Sequence, residues 1–181
     1  MEKKNDHIIR IALLGPESTG KSTLSEQLAK HYNTVWVKEC AREYLSKINR
    51  KYTLDDVLKI AETQLWQEQE SLSSANKFIF ADTELIISKV WCEDVFNTCP
   101  KWILQNIKDH KYDLYLLTYP DLRWEKDPLR ENPNRRYFFF NWYERELIKI
   151  NATYSIIRGT DTVRLQNALE QIEKFLTDFQ K

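Results

Sequence analysis

Gly15-Pro16-Glu17-Ser18-Thr19-Gly20-Lys21-Ser22 reads G-x-x-x-x-G-K-[ST] in full. That spacing is the chemistry of a phosphate-binding loop. Loop amides and the first turn of a following helix point at phosphate oxygens, and the helix dipole favours the anion. The lysine reaches the outer phosphates, and the hydroxyl after it suits Mg²⁺. The context is the required one: a β-rich apolar run, Ile8–Leu14, precedes the loop and a helical pattern, Ser22–Tyr32, follows it. Gly15, Glu17, Ser18, Thr19, Gly20, Lys21, Ser22 and Thr23 are therefore the expected nucleotide-binding residues. A second carboxylate should end a neighbouring strand, and Phe78-Ile79-Phe80-Ala81-Asp82 has that form. Ser22 and Asp82 are the expected Mg²⁺ residues, Asp82 directly or through water.

A phosphate loop names a nucleotide and leaves the reaction open. The N-K-x-D signature of a Ras-like GTPase is absent, and Asp82 is followed by Thr83-Glu84-Leu85 where a switch region would read D-x-x-G. A small-molecule kinase needs three further things: a carboxylate to orient or deprotonate the acceptor, cations over the transferring phosphoryl, and closure against water. Glu39 follows a short β-rich run, with Arg42 and Glu43 one helical turn on, at the strand ends where open α/β sheets bind ligands. A surface E-x-x-R-E helix with local salt bridges is the plain alternative. Residues 119–136 carry Arg123, Arg130, Arg135 and Arg136 with Pro120, Pro128 and Pro133, and read as a lid. Arg130, after the bend Asp127-Pro128-Leu129, is the first choice for the phosphoryl group. The expected catalytic set is Lys21, Glu39, Arg42, Asp82 and Arg130, with Glu39 and Asp82 as rival bases. After the last expected strand, Gly159 allows close backbone approach to an adenine, with Thr160 beside it; an ordinary helix cap at Thr160 or Asp161 explains the same residues equally well.

These residues need a scaffold that brings strand ends together. Short β-rich runs (Ile8–Leu14, Thr34–Lys38, Lys77–Asp82, Asp113–Thr118, Thr153–Ile157) alternate with helical patterns. The helices expected are Ser22–Tyr32, Glu39–Ile48, one starting at Thr53 and running to Ser71, Leu85–Phe96, one from Pro100 to Asp109, Tyr137–Asn151 and Val163–Phe179. The third should bury Val57, Ile60, Ala61 and Leu65; the fourth is apolar on more than one side. The alternation implies an α/β fold, a P-loop NTPase of the nucleoside- and nucleotide-kinase kind. Its five-stranded parallel sheet has expected order 2-3-1-4-5, helices on both faces and a lid, in a single domain over residues 1–181.

Composition excludes several classes. Lys+Arg and Asp+Glu are both 27, so the formal charge is zero, which argues against nucleic-acid binding as the main task. No run approaches the ~20 apolar residues of a membrane span. The N-terminal residues lead straight into the first strand and do not read as a signal peptide. Three cysteines, Cys40, Cys92 and Cys99, match no metal or redox spacing and read as reduced thiols. A cytoplasmic location is the expectation; the oligomeric state is not legible.

Glu39-Cys40-Ala41-Arg42-Glu43-Tyr44, Phe80-Ala81-Asp82-Thr83 and Trp124-Glu125-Lys126-Asp127-Pro128-Leu129-Arg130, together with the phosphate loop and Tyr112–Leu117, resemble the ribosylnicotinamide kinase domain of NadR-type proteins. The resemblance implies ATP- and Mg²⁺-dependent phosphorylation of the 5′-hydroxyl of nicotinamide riboside to nicotinamide mononucleotide. Where the family reads W-x-x-D-G-x-R this chain has Pro128, and where a second aspartate is common it has Glu84. The (H/T)-x-G-H signature of the adenylyltransferase half of bifunctional relatives is absent. A pyridinium nucleoside favours aromatic faces and carboxylates. Trp124, with Glu39, Arg42, Glu43, Glu84 and Asp127, is the expected acceptor-binding set. A kinase for another nucleoside or small hydroxyl acceptor, and an ATP-binding regulatory module with little turnover, are the rival readings.

Overall fold

The computed structural model describes residues 7–179; residues 1–6, 180 and 181 of the expected single domain lie outside the described residues. Five strands form one sheet: β1 (Ile9–Leu14), β2 (Val35–Val37), β3 (Phe78–Asp82), β4 (Leu114–Thr118) and β5 (Tyr154–Ile157). Their order is β2-β3-β1-β4-β5 and every pairing is parallel. The helices are α1 (Lys21–His31), α2 (Ala41–Lys47), α3 (Leu54–Ser71), α4 (Leu85–Phe96), α5 (Lys101–Asp109), α6 (Arg136–Lys149) and α7 (Asp161–Phe179).

The strands are apolar on both faces because both faces are covered. Along β1, Ile9, Ile11 and Leu13 pack with Leu24 and Leu28 of α1 and Ala168 and Ile172 of α7. Ala12 and Leu14, alternating with them, pack with Val57 of α3, Ile86 of α4 and Phe140 and Leu147 of α6. Arg10 breaks the apolar run of β1 and pairs with the buried Glu68 of α3, which also accepts from the Tyr112 hydroxyl. Among the described residues no helix is long and apolar enough to cross a membrane.

Two expected elements differ in a way that matters. The helix expected from Glu39 begins only at Ala41, because the Cys40 amide donates to the side chain of Gln64 at 3.0 Å. Glu39 is thereby left at the end of β2 and out of the helix. The buried face of α3 continues through Gln64 and Glu68, with Leu65 only half-buried. Polar residues sit there because each holds a strand: Gln64 also donates to the Asp82 carbonyl at 3.5 Å, and Glu68 holds Arg10. At the start of α3, Thr53 and Asp56 form the reciprocal cap that the sequence pattern calls for.

Candidate active site

The strand order places three features side by side. β3 lies between β2 and β1, so Glu39, Asp82 and the loop after Leu14 emerge from adjacent strand ends; Leu13 and Asp82 are register partners. The loop itself is pinned from below. The Thr19 hydroxyl donates to the Pro16 carbonyl at 2.8 Å and meets the Thr118 hydroxyl at 2.7 Å, which in turn reaches the Leu14 carbonyl at 3.2 Å. A side chain at Gly15 would stand 2.2 Å from that same Thr118 oxygen, so only glycine fits. Gly20 caps α1 at φ 74°, where its bare Cα lies against Leu122 of the lid. Lys21 arches back, its ammonium donating to the carbonyls of Gly15 and Pro16 at 3.0 Å each.

All of residues 15–23 line a cavity of about 1220 Å³. A small-molecule site of ordinary size holds roughly 300–1,000 Å³, so the cavity has room for a nucleotide and a second small molecule together. Glu39 and Arg42 line it; Asp82 is buried just behind the wall. Burial pushes the Asp82 carboxyl up, opposed by Lys21 and by the nearby Ser22 hydroxyl. Burial likewise pushes Glu39 up; Lys21, Arg42 and Arg130 oppose that and Asp82 adds to it. The five expected catalytic residues thus share one electrostatic neighbourhood. Among the described residues Asp82 Oδ1 is buried without a hydrogen-bond partner, and the Ser22 hydroxyl lies near the same carboxyl. One carboxylate and one hydroxyl form a hard oxygen set that fits Mg²⁺, which keeps most of its own waters.

Residues 119–136, the segment expected to be a lid, lie against the loop through hydrogen bonds to Glu17 and Ser18. Arg130 donates to the Glu125 carbonyl at 2.6 Å, and Arg42 pairs with Asp127 at 2.8 Å. Asp127 also accepts from the Leu129 amide, and these contacts hold its carboxyl below the usual range. Besides Asp82, five expected site residues stay off the cavity wall. Glu43 points to solvent and bridges Lys47 one turn along α2. Glu84 is buried as the cap of α4, accepting from the Ile86 amide, and burial raises its carboxyl to about 8. Trp124 lies under the Arg136 guanidinium, 5.8 Å from the ring centre. Asp127 serves the lid through Arg42 and Leu129, and Gly159 ties its amide to Asp121. Thr160, Asp161, Thr162 and Arg164, at and just beyond the start of α7, form that end of the wall instead.

Sequence reasoning missed the aromatic end. Tyr52, Trp91, Phe139 and Tyr143 line the same cavity, as do Ile87 and Asp94. Tyr52 meets Trp91 edge-on at 5.1 Å, and Phe139 stacks on Tyr143 at 6.3 Å. Asp94 is held by Arg135, whose guanidinium lies 4.7 Å over the Phe139 ring. One signal was available: α4 is apolar on more than one side, because one side packs on the sheet and another faces this cavity.

Comparison with known proteins gives the same frame. The trifunctional NAD biosynthesis/regulator protein NadR of Escherichia coli (strain K12) is 30% identical over 135 residues, covering 71% of this chain and 32% of NadR. The chain thus spans about a third of the length of the curated relatives it matches. The crystal structure of a NadR protein in complex with NR superposes with a TM-score of 0.75 at 23% identity, over 94% of this chain and 52% of that one. Deoxyadenosine kinase from M. mycoides superposes at 0.65 and 15% identity, over 91% of this chain and 98% of the kinase. The fold is therefore that of the P-loop nucleoside kinases, with homology to NadR. Residues 10–164 match the family AAA_28, an AAA domain, and the chain belongs to that family.

Proposed function

We propose that this chain is a kinase that transfers the γ-phosphoryl of ATP to the 5′-hydroxyl of nicotinamide riboside, giving nicotinamide mononucleotide. The observation that carries the reading is a single cavity lined both by a phosphate loop and by a cluster of aromatic rings with a carboxylate. A pyridinium cation is attracted to aromatic rings such as those of Trp91 and Tyr52. Asp94 adds a carboxylate, tempered by Arg135. Similarity to NadR, and to the NadR structure with NR, supports this substrate class.

Residues 15–23 would cradle the phosphates through their amides, with Lys21 on the outer ones. Ser22 and Asp82 would hold Mg²⁺, which when bound neutralises charge on the phosphate oxygens. Glu39 lines the cavity while Asp82 lies behind it. That favours Glu39 as the carboxylate that orients the acceptor hydroxyl and takes its proton, leaving Asp82 to the metal. Arg130 and Arg42, both drawn into the neighbourhood of Glu39, supply positive charge beside the transferring group. The lid excludes water.

Acceptor-dependent ADP release, measured over a panel of nucleosides with mass detection of the phosphorylated product, tests the reading. The expected result is preference for the pyridinium nucleoside. Equal turnover of uridine or deoxynucleosides with none of the pyridinium nucleoside would overturn it. A deoxynucleoside acceptor is the second reading, favoured by a superposition that spans nearly the whole deoxyadenosine kinase chain. ATP binding without any acceptor-dependent release would mark a regulatory module.

A further inference from the structure

Glu17 is a carboxylate inside a loop whose amides are arranged to attract anions. Such a charge opposes phosphate binding unless its side chain is directed elsewhere. Here it is directed at the lid. Its two oxygens accept from two consecutive lid amides, Glu131 at 3.1 Å and Asn132 at 2.9 Å. Ser18 completes the attachment further back along the lid. With φ at +57°, it donates its hydroxyl to the Arg123 carbonyl at 3.3 Å and accepts from the Glu125 amide at 2.9 Å. The backbone carbonyl of Ser18 accepts from Arg136, which also reaches the Leu122 carbonyl. The lid is thus fastened at residues 123–125 and at 131–132. Between the two fastenings stand Pro128, Leu129 and Arg130, which line the cavity.

We propose that Glu17 is a positioning residue that clasps the lid to the phosphate loop, so that loop and lid take up their working arrangement together. The inference rests on the kinase reading for its consequence and on hydrogen bonds alone for its geometry. A loop shaped to receive phosphates is the same loop that presents Glu17 and Ser18 to the lid. Ligand binding at the loop and closure of the lid therefore favour each other, and by linkage the effect runs both ways. Closure also brings Arg130 to the reacting end and keeps water from the phosphoryl group. A carboxylate suits the task because hydrogen bonds to an ionised acceptor are roughly twice as strong as neutral ones.

The test compares Glu17→Ala and Glu17→Gln with the parent protein in two measurements. The first is hydrogen exchange of the ligand-free protein. Residues 131–132 should exchange at least about tenfold faster in Glu17→Ala, with Glu17→Gln between, since Gln keeps one acceptor and sets an N–H against the other amide. The second is turnover. For Glu17→Ala, kcat with acceptor should fall about 10- to 100-fold, with the KM for ATP raised by a smaller factor, as the linkage requires. The share of ADP released without acceptor should rise. Unchanged exchange at 131–132 overturns the clasp, and so does a raised KM for ATP at unchanged kcat, which would mark Glu17 as a nucleotide contact. Should no nucleoside be phosphorylated at all, the kinase reading fails while the exchange result still decides the clasp. If Glu17→Ala unfolds, the exchange and kcat of Glu17→Gln decide by the same criteria.

Discussion

The two ends of the cavity are built on opposite principles. The phosphate-loop end is one continuous stretch, residues 15–23, and its recognition atoms are mostly main-chain amides set by the strand before it and the helix after it. The aromatic end is assembled from side chains on separate elements: Tyr52 ahead of α3, Ile87, Trp91 and Asp94 on α4, Phe139 and Tyr143 on α6, and Leu129 from the lid. A main-chain site leaves little room for change, since even a methyl group at Gly15 collides with Thr118. A side-chain site can be retuned one residue at a time without disturbing the strand-loop-helix unit.

That contrast can be broken by experiment, starting where the effect is largest. Lys21→Ala should lower turnover by about 10²–10³-fold or more, the cost of removing one preorganised cation from a transferring group. Its thermal midpoint should match the parent, and a large fall in that midpoint would make Lys21 a structural residue. Next, Glu39→Gln and Asp82→Asn should separate. Glu39→Gln should cut kcat about 10²-fold at an almost unchanged Mg²⁺ requirement, as loss of a general base does. Asp82→Asn should raise the Mg²⁺ concentration needed for half-maximal rate. The opposite pattern would exchange their roles. Trp91→Ala should raise the acceptor KM about tenfold, the equivalent of roughly 1.4 kcal/mol of lost aromatic contact. The KM for ATP should be unmoved; equal effects on both would mean the two ends are not separable.

The smallest effect concerns what holds the aromatic end from behind. Arg50 lines the cavity and is gripped by Asp56, which also takes the Tyr44 hydroxyl and the Thr53 amide. The Arg50 guanidinium, followed by the Thr53 backbone, holds the Asp56 carboxyl far below its ordinary value of 3.8. A group depressed in the folded state contributes its stability fully above the unfolded value and loses it as pH falls. Asp56→Asn should therefore be less stable than the parent at pH 7 by a constant margin down to about pH 5. In urea unfolding the two should converge as pH drops below 3.8. A margin independent of pH down to 2 would show that the charge of Asp56 does not carry the effect.

Much of this site is legible in the sequence because its signals are local. The phosphate loop is eight consecutive residues with fixed glycines, and the Thr53 and Asp56 cap depends on a three-residue spacing. Glu39 and Asp82 were legible because both follow short β-rich runs. Glu84, two residues after Asp82, reads as a second site acid, and its side chain turns back to cap α4. Trp124, an aromatic residue of the same 119–136 segment, has its ring under Arg136 and not on the cavity wall.

The sequence by itself determined the parallel α/β class, the strand ends that meet, the loop and the lid, because periodicity, turn residues and the right-handed crossover are properties of the local chain. Only the tertiary structure decided which side chains face inward at the aromatic end, and that Glu17 reaches the lid. Trp91 and Phe139 stand 48 positions apart in the chain, and Glu17 and Asn132 stand 115 apart. No local rule relates residues so distant. Their meeting follows from how α4 and α6 pack over the sheet and where the lid comes down.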